Sequence, residues 1–245
     1  MFPTDIRAKK MLSDPSLAEN EIPAVVNYRG RRILRPSGLE RRQQILDATL
    51  RIIVREGMRG VRHRAVAAEA CVPLAATTYY FRDIEDLITA AFLDWARRNA
   101  VYPGNFRQAC FKCVEDTVGA GDHSSAARRK LVDSIVELAA DYIVEQVTTY
   151  REHRIIELAF QHEAYGNEKL KAVVLEQHEL SLRDLEAFYA AVCSSTPGAD
   201  ASITYGLMLR VEQDLFMRGT DQNSRASVAL VFRRLIESLL NLTAA

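Results

Sequence analysis

In the stretch VRHRAVAAEACVPLAATTYYFRDIEDLI, residues 61–88, two short helical patterns are separated by a break at Cys71–Val72–Pro73. A helix of only two turns is not stable alone in water, because its nucleus costs more than so few hydrogen bonds return. A short helix over about 74–80 therefore requires two neighbours to hold it. A brief helix held at a steep angle to the one before it is the form of a helix-turn-helix. This requirement constrains the fold more than any other feature of the chain.

The flanking patterns supply the neighbours. SGLE at 37–40 reads as a capping box of Ser37 and Glu40, and Leu39, Ile45, Leu46, Ile52 and Ile53 follow at near-helical spacing until Gly57. This predicts a first helix over about 39–56. A second spans about 62–70, with Val66, Ala67 and Ala70 inward. Pro73 suits the first turn of the third. Asp83 reads as the N-cap of a fourth that runs to about Asn99, with Asp86 at its positive end. Beyond residue 104 the segments near 105–118, 125–149, 151–165, 168–193, 199–218 and 223–241 all read as helices, and no strand-like alternation persists. In 125–149, Leu131, Ile135, Leu138, Tyr142, Ile143 and Val147 form one inward stripe. The fold class is all-α. The expected organisation is a tail with a basic arm at 1–36, a helix-turn-helix domain at 37–85 and a larger helical domain at 86–245.

The chain has zero formal net charge, but the charge is unevenly spread. Residues 27–64 carry eleven Arg against three acids, a net of +8, whereas residues 101–245 carry fifteen bases and twenty acids, a net of −5. Such asymmetry suggests a nucleic-acid-facing N-terminal part and a remainder that faces something else; the alternative is an ordinary solvated, Arg-rich helix. In a helix-turn-helix the second helix presents its N-terminal residues to the major groove. Here those are Leu74, Ala75, Ala76, Thr77, Thr78 and Tyr79. Small side chains permit close approach, and threonine offers both a hydroxyl and a methyl. Tyr79 and Tyr80 can place hydroxyls on phosphates. Arg62, His63 and Arg64 open the preceding helix, and Arg82 can reach a second phosphate. Arg29, Arg31, Arg32 and Arg35 make a basic arm suited to a narrow minor groove, or else a solvated tail that adds only general attraction.

Residues 40–88 resemble the DNA-binding domain of the TetR family of transcriptional regulators. The resemblance is carried by RRQQILDATLRIIVREGMRGV, AVAAEACVPLAATTYYF and DIEDLI. Two positions depart from the family pattern: Cys71 stands where Gly is common in the turn, and Ile84 where a basic phosphate contact is frequent. The resemblance implies a C-terminal domain that binds a small, partly apolar effector and closes a homodimer with its last two helices. For that interface Leu207, Leu215, Val228, Leu235 and Leu239 are candidates, with packing inside one subunit as the alternative. It further implies double-stranded DNA as partner, read as a palindromic operator, and release of a repressor when effector binds.

Other constellations point less far. Cys110 and Cys113 form a C-x-x-C, but no second pair or nearby His pair completes a zinc site, so no metal is expected; a redox role is the remaining alternative to two packed cysteines. The five histidines lack ligand spacing. No phosphate loop, nucleophile elbow or paired-carboxylate motif is evident, so neither catalytic residues nor a cofactor are expected, and the chain reads as a non-enzyme. Tyr142, Tyr150, Phe160, Tyr165 and Phe188 are candidates for an effector cavity, with core packing as the alternative for each. The longest apolar runs fall well short of the ~18 residues of a membrane span. The first residues hold acids, bases and prolines and do not read as a signal peptide, and Met11 offers an alternative start to Met1. Four cysteines without an export signal fit a cytoplasmic protein. The rival reading within DNA binding is an architectural or division-control protein on the same scaffold, without an inducer.

Overall fold

The computed structural model describes residues 36–99, 101–119 and 124–240, all within the unit of residues 33–245. The expected arm residues Arg29, Arg31, Arg32 and Arg35 lie outside the described residues. The described residues hold ten α-helices and no strand: α1 (Pro36–Glu56), α2 (His63–Glu69), α3 (Leu74–Tyr80), α4 (Ile84–Arg98), α5 (Val101–Val114), α6 (Ser125–Val147), α7 (Arg151–Glu163), α8 (Glu168–Ala191), α9 (Pro197–Arg218) and α10 (Ser224–Leu239). One 3₁₀ turn, Met58–Gly60, follows α1, and a wider π-type turn, Glu115–Gly119, continues α5.

Helix α1 buries Ile45, Leu46, Ile52 and Ile53, whereas Leu39, expected on the same stripe, is exposed. Ser37 is already inside α1, so it does not stand before the helix as the capping box required. Gly57 ends α1 with φ 71°, a conformation that costs glycine little. A Cβ on Gly60 would lie 2.7 Å from Glu56 Cβ and 3.0 Å from Ile52 Cγ2, so the turn returns against α1 too closely for a side chain. Helix α2 closes in a Schellman motif. The Cys71 N–H donates to the Ala68 carbonyl at 3.1 Å and the Val72 N–H to the Ala67 carbonyl at 3.0 Å. Pro73 then sits at the N-cap of α3, one residue ahead of the expected position. Asp83 caps α4 as expected, accepting from the Asp86 N–H at 2.7 Å.

Three hydrophobic clusters organise the remainder. The first joins Ile45, Ile53, Val66, Phe81, Leu87 and Phe92 of α1–α4 to Ile156 and Phe160 of α7 and to Leu170 and Val174 of α8. It runs across residues 85 and 86, and the Phe92 and Phe160 rings lie 4.8 Å apart within it. The second joins α5, α6, α8 and the ends of α9 and α10; the third joins Ala140 and Ile143 of α6 to Val228 and Phe232 of α10, with Leu207, Val211 and Leu215 of α9 packed alongside. Helix α6 therefore runs between two clusters, and its expected stripe is inward, with Leu138 and Tyr142 half-buried. Arg225 and Arg233 of α10 reach Asp141 and Asp133 of α6 at 2.5 and 2.6 Å.

Candidate nucleic-acid interface

Helix α3 has two faces. Leu74, Ala75, Thr78 and Tyr79 are exposed, while Ala76 and Tyr80 pack against the first cluster. Thr77 departs from its expected place on the reading face: it is 0% exposed, and its hydroxyl donates to the Leu74 carbonyl at 2.8 Å. Buried and hydrogen-bonded within its own helix, it anchors α3 from below and cannot reach a base. The exposed positions follow the spacing i, i+1, i+4, i+5, one stripe of a two-turn helix. The Tyr79 ring meets Tyr80 edge-on at 5.1 Å, so the inner tyrosine supports the outer one.

Around this face Arg62 and Arg64 are exposed and His63 is half-buried, with Nδ1 buried and lacking a hydrogen-bond partner. Arg82 is exposed, but its guanidinium donates to the Asp86 carboxylate at 2.7 and 3.1 Å. Asp86 is buried, lies 3.6 Å from Lys169 of α8, and is held below the usual carboxylate range chiefly by the Arg82 hydrogen bond. Arginines of the basic segment also have structural partners, Arg42 over the Phe81 ring at 5.4 Å among them. Arg51 and Arg55 both reach Glu69 of α2, at 2.8 and 3.1 Å, and their hydrogen bonds hold its carboxyl below the ordinary range. They fasten α1 to α2, which fixes the cradle of α3.

The expected dimer residues separate. Val228 is 2% exposed inside the third cluster, so it is corrected to an intramolecular core position. Leu207 and Leu215 pack on that same cluster and Leu239 on the second, while Leu235 is half-buried. The exposed apolar residues of these helices are instead Ile203 and Met217 of α9 and Leu230 and Val231 of α10. Helical spacing contains this second stripe, since 227, 230, 231 and 234 share one face.

The five aromatic cavity candidates scatter as well. Phe160 belongs to the first cluster, Phe188 to the second, Tyr165 is exposed and Tyr150 half-buried. Tyr142 alone adjoins a buried polar group that sequence reasoning missed. Arg154 of α7 lies 2.5 Å from Glu157 and 2.6 Å from Glu212 of α9, and both Arg154 and Glu212 are buried. Burial pushes the Glu212 carboxyl up to about 7 against the attraction of Arg154. Burial opposes the Arg154 charge, but Glu157 and Glu212 more than offset it and hold the guanidinium protonated. Glu212 falls between Val211 and Leu215 on the inward side of α9, and a charge there was the available signal. The C-x-x-C is less reactive than its spacing suggests, because burial pushes the Cys110 thiol up to about 12 and raises Cys113 as well. Among the described residues no cluster of three or more His, Cys, Asp or Glu could hold a metal ion, and no helix is long and apolar enough to cross a membrane.

No family model matches the chain. The HTH-type nicotine-responsive transcriptional repressor HdnoR of Paenarthrobacter nicotinovorans is 40% identical over 58 residues, 24% of this chain. The chain spans 30% of the length of that curated relative. Among solved structures, a member of the TetR family from Streptomyces coelicolor A3 is 26% identical with a TM-score of 0.50, over 80% of this chain and 98% of that one. The multidrug binding protein EbrR complexed with ethidium is 25% identical with a TM-score of 0.52, over the same shares. A transcriptional regulator from Rhodococcus sp. Rha1, 12% identical, has a TM-score of 0.58 over 82% of this chain and 96% of that one, a likeness of fold alone.

Proposed function

We propose that this chain, which belongs to the TetR family of transcriptional regulators, is a homodimeric, sequence-specific DNA-binding repressor released by a small-molecule effector. The observation that carries this reading is α3: a two-turn helix whose outer stripe of Leu74, Ala75, Thr78 and Tyr79 is exposed, while Ala76, Thr77 and Tyr80 anchor it. In the proposed complex Leu74, Ala75 and Thr78 of that stripe read bases in the major groove. Arg62, Arg64 and Tyr79 hold phosphates, and Arg82 acts through its pairing with Asp86. Residues 37–85 form the DNA-binding domain and 86–245 the effector and dimerisation domain. Two copies read a palindrome whose half-sites lie about one DNA turn, ~34–36 Å, or a multiple of it apart. The dimer face is the exposed stripe of α9 and α10 around Ile203, Leu230 and Val231.

HdnoR is nicotine-responsive and EbrR binds ethidium; the parallel supports an effector that lowers DNA affinity through its preference for one conformation. The chain works in the cytoplasm and performs no catalytic step. Selection of duplex DNA from a random library by the purified chain at ~0.15 M salt, where nonspecific attraction is damped, tests the reading. A recovered palindrome is the expected result. Binding without any recovered motif, declining steadily with salt, would replace it with the architectural reading.

A further inference from the structure

We propose that Asp86 positions Arg82 on the DNA backbone and that Lys169 of α8 completes this brace, so that withdrawal of the α8 N-terminus from α4 weakens DNA binding. The inference rests on the DNA-binding reading above and names how the helical domain regulates it. Arg82 stands two residues beyond α3. Between them Phe81 is buried, and its N–H donates to the Thr77 carbonyl at 3.0 Å. The core therefore fixes the backbone of Arg82 to the end of α3. The Arg82 side chain is 68% exposed and that of Asp86 only 9%. Arg82 Nε and Nη2 donate to the two Asp86 oxygens at 2.7 and 3.1 Å, a paired geometry that sets the direction of a guanidinium as well as its place. A guanidinium has five N–H donors, so such a pair does not have to open for a phosphate to bind.

Asp86 is fixed in turn by the first turn of α4, where its N–H donates to Asp83 and the next residue, Leu87, is wholly buried. A carboxylate so far from water requires countercharge. The Arg82 hydrogen bond comes first in keeping it ionised, and the Lys169 charge adds to it against the cost of burial. The Lys169 ammonium lies 3.6 Å from Asp86 Oδ1 and 3.7 Å from Glu85 Oε2, at ion-pair rather than hydrogen-bond distance. Within residues 82–86 three acids, Asp83, Glu85 and Asp86, stand against Arg82, a net of −2 that Lys169 reduces to −1. A phosphate that approaches Arg82 meets this field. Lys169 therefore lowers the repulsion at the point where the contact forms.

Helix α8 is built to move this charge. Leu170, Val173 and Val174 set its first turns in the first cluster, and Phe188 and Tyr189 set its last turns in the second. Residues 175–187 between them are all half-buried or exposed. With 24 residues the helix is about 36 Å long, a rigid link from the second cluster to Lys169. A displacement at its far end loosens contacts that already stand at ion-pair distance.

Fluorescence anisotropy of the full chain tests the brace on two duplexes at ~0.15 M salt, the selected operator and a random sequence. Lys169→Gln is expected to weaken both alike by about threefold, since the contact is to phosphate and one partner of the ion pair is exposed. Lys169→Arg should restore the native affinity. Lys171→Gln, one turn outward and paired with Glu168 at 3.3 Å, should leave it unchanged. In an Arg82→Ala background the Lys169→Gln step should shrink below about 1.5-fold, because both act through one contact. Asp86→Asn separates the brace from general charge. Loss of an acid from a DNA-facing edge would by charge alone tighten binding, whereas loss of the brace weakens it. Tighter binding by Asp86→Asn, an unchanged affinity in Lys169→Gln, or a Lys169→Gln step of equal size with and without Arg82 would each overturn the proposal. Should Asp86→Asn fail to fold, which circular dichroism reports, the Arg82–Lys169 cycle on exposed residues still decides. A native chain that selects no palindrome would sink the sequence-specific reading, and the random duplex would still judge the brace. Binding to neither duplex would overturn both.

Discussion

Cys71 holds a left-handed backbone conformation, φ 53°, at the position after α2 where glycine carries no Cβ penalty. Such a conformation costs an L-residue about 1–2 kcal/mol, of which glycine's larger unfolded-state entropy offsets part. Cys71→Gly is therefore expected to stabilise the chain by about 0.5–1 kcal/mol, read as a rise of roughly 1–4 °C in Tm for a domain of this size. No rise in a thermal scan would mean that cysteine relieves its strain elsewhere. Glu212 gives a second test at this scale. Its carboxyl is raised from 4.5 to about 7, chiefly by burial, so the folded state favours the protonated form. Its contribution to stability is full below the ordinary carboxylate range and is lost as pH rises through about 7, with a slope of at most about 1.4 kcal/mol per pH unit. Glu212→Gln removes that slope. Denaturant titrations at pH 5 and pH 8 should find the variant gaining on the native chain at the higher pH by more than about 1 kcal/mol. Parallel pH profiles for the two would contradict the assignment.

At the scale of elements, α3 separates anchoring from reading. Tyr79 is exposed and belongs to the outer stripe, whereas Thr77 beneath it is buried and bonded to Leu74. The double substitution Tyr79→Ala with Arg64→Ala should weaken binding to every DNA sequence alike and reduce the salt slope by about 1, the signature of a lost phosphate contact. A gel-shift salt series indistinguishable from the native chain would remove both residues from the interface. Much of this element was legible beforehand: the Cys71–Pro73 break, the Asp83 cap and the tyrosine pair locate a short helix at Leu74–Tyr80 from sequence alone. The inward turn of Thr77 was not, because a helix of two turns has too few apolar positions to fix its rotation and threonine suits either face. The Arg154–Glu212 pair was hidden for a different reason. Its partners lie on α7 and α9, far apart in sequence, and only the packing of α6, α8 and α9 around them makes each the counterion of the other.

At the scale of the molecule, α10 carries apolar residues on two sides, and periodicity does not say which side meets its own subunit. Val228 and Phe232 lie in the third cluster against α6, and ion pairs from Arg225 and Arg233 hold that side closed. The opposite side leaves Leu230 70% exposed and, on neighbouring α9, Met217 82% exposed. Ile203 and Val231 are exposed on the same two helices, and a two-fold axis along that side would cover such residues from both subunits at once. Leu230→Glu places a charge at that axis opposite its own copy, so the chain should become monomeric while keeping its helical content. Binding to a single half-site would survive weakly and the palindrome would lose its advantage. Val228→Ala is the opposite case: it opens a small void inside the subunit, costs about 1–3 kcal/mol of stability and leaves the dimer intact. Light scattering during gel filtration, paired with denaturant titration, separates the two. A dimer that persists in Leu230→Glu but dissociates in Val228→Ala would mean that the subunits meet through the other side of α10, and that the packing of α10 on α6 changes when the dimer forms.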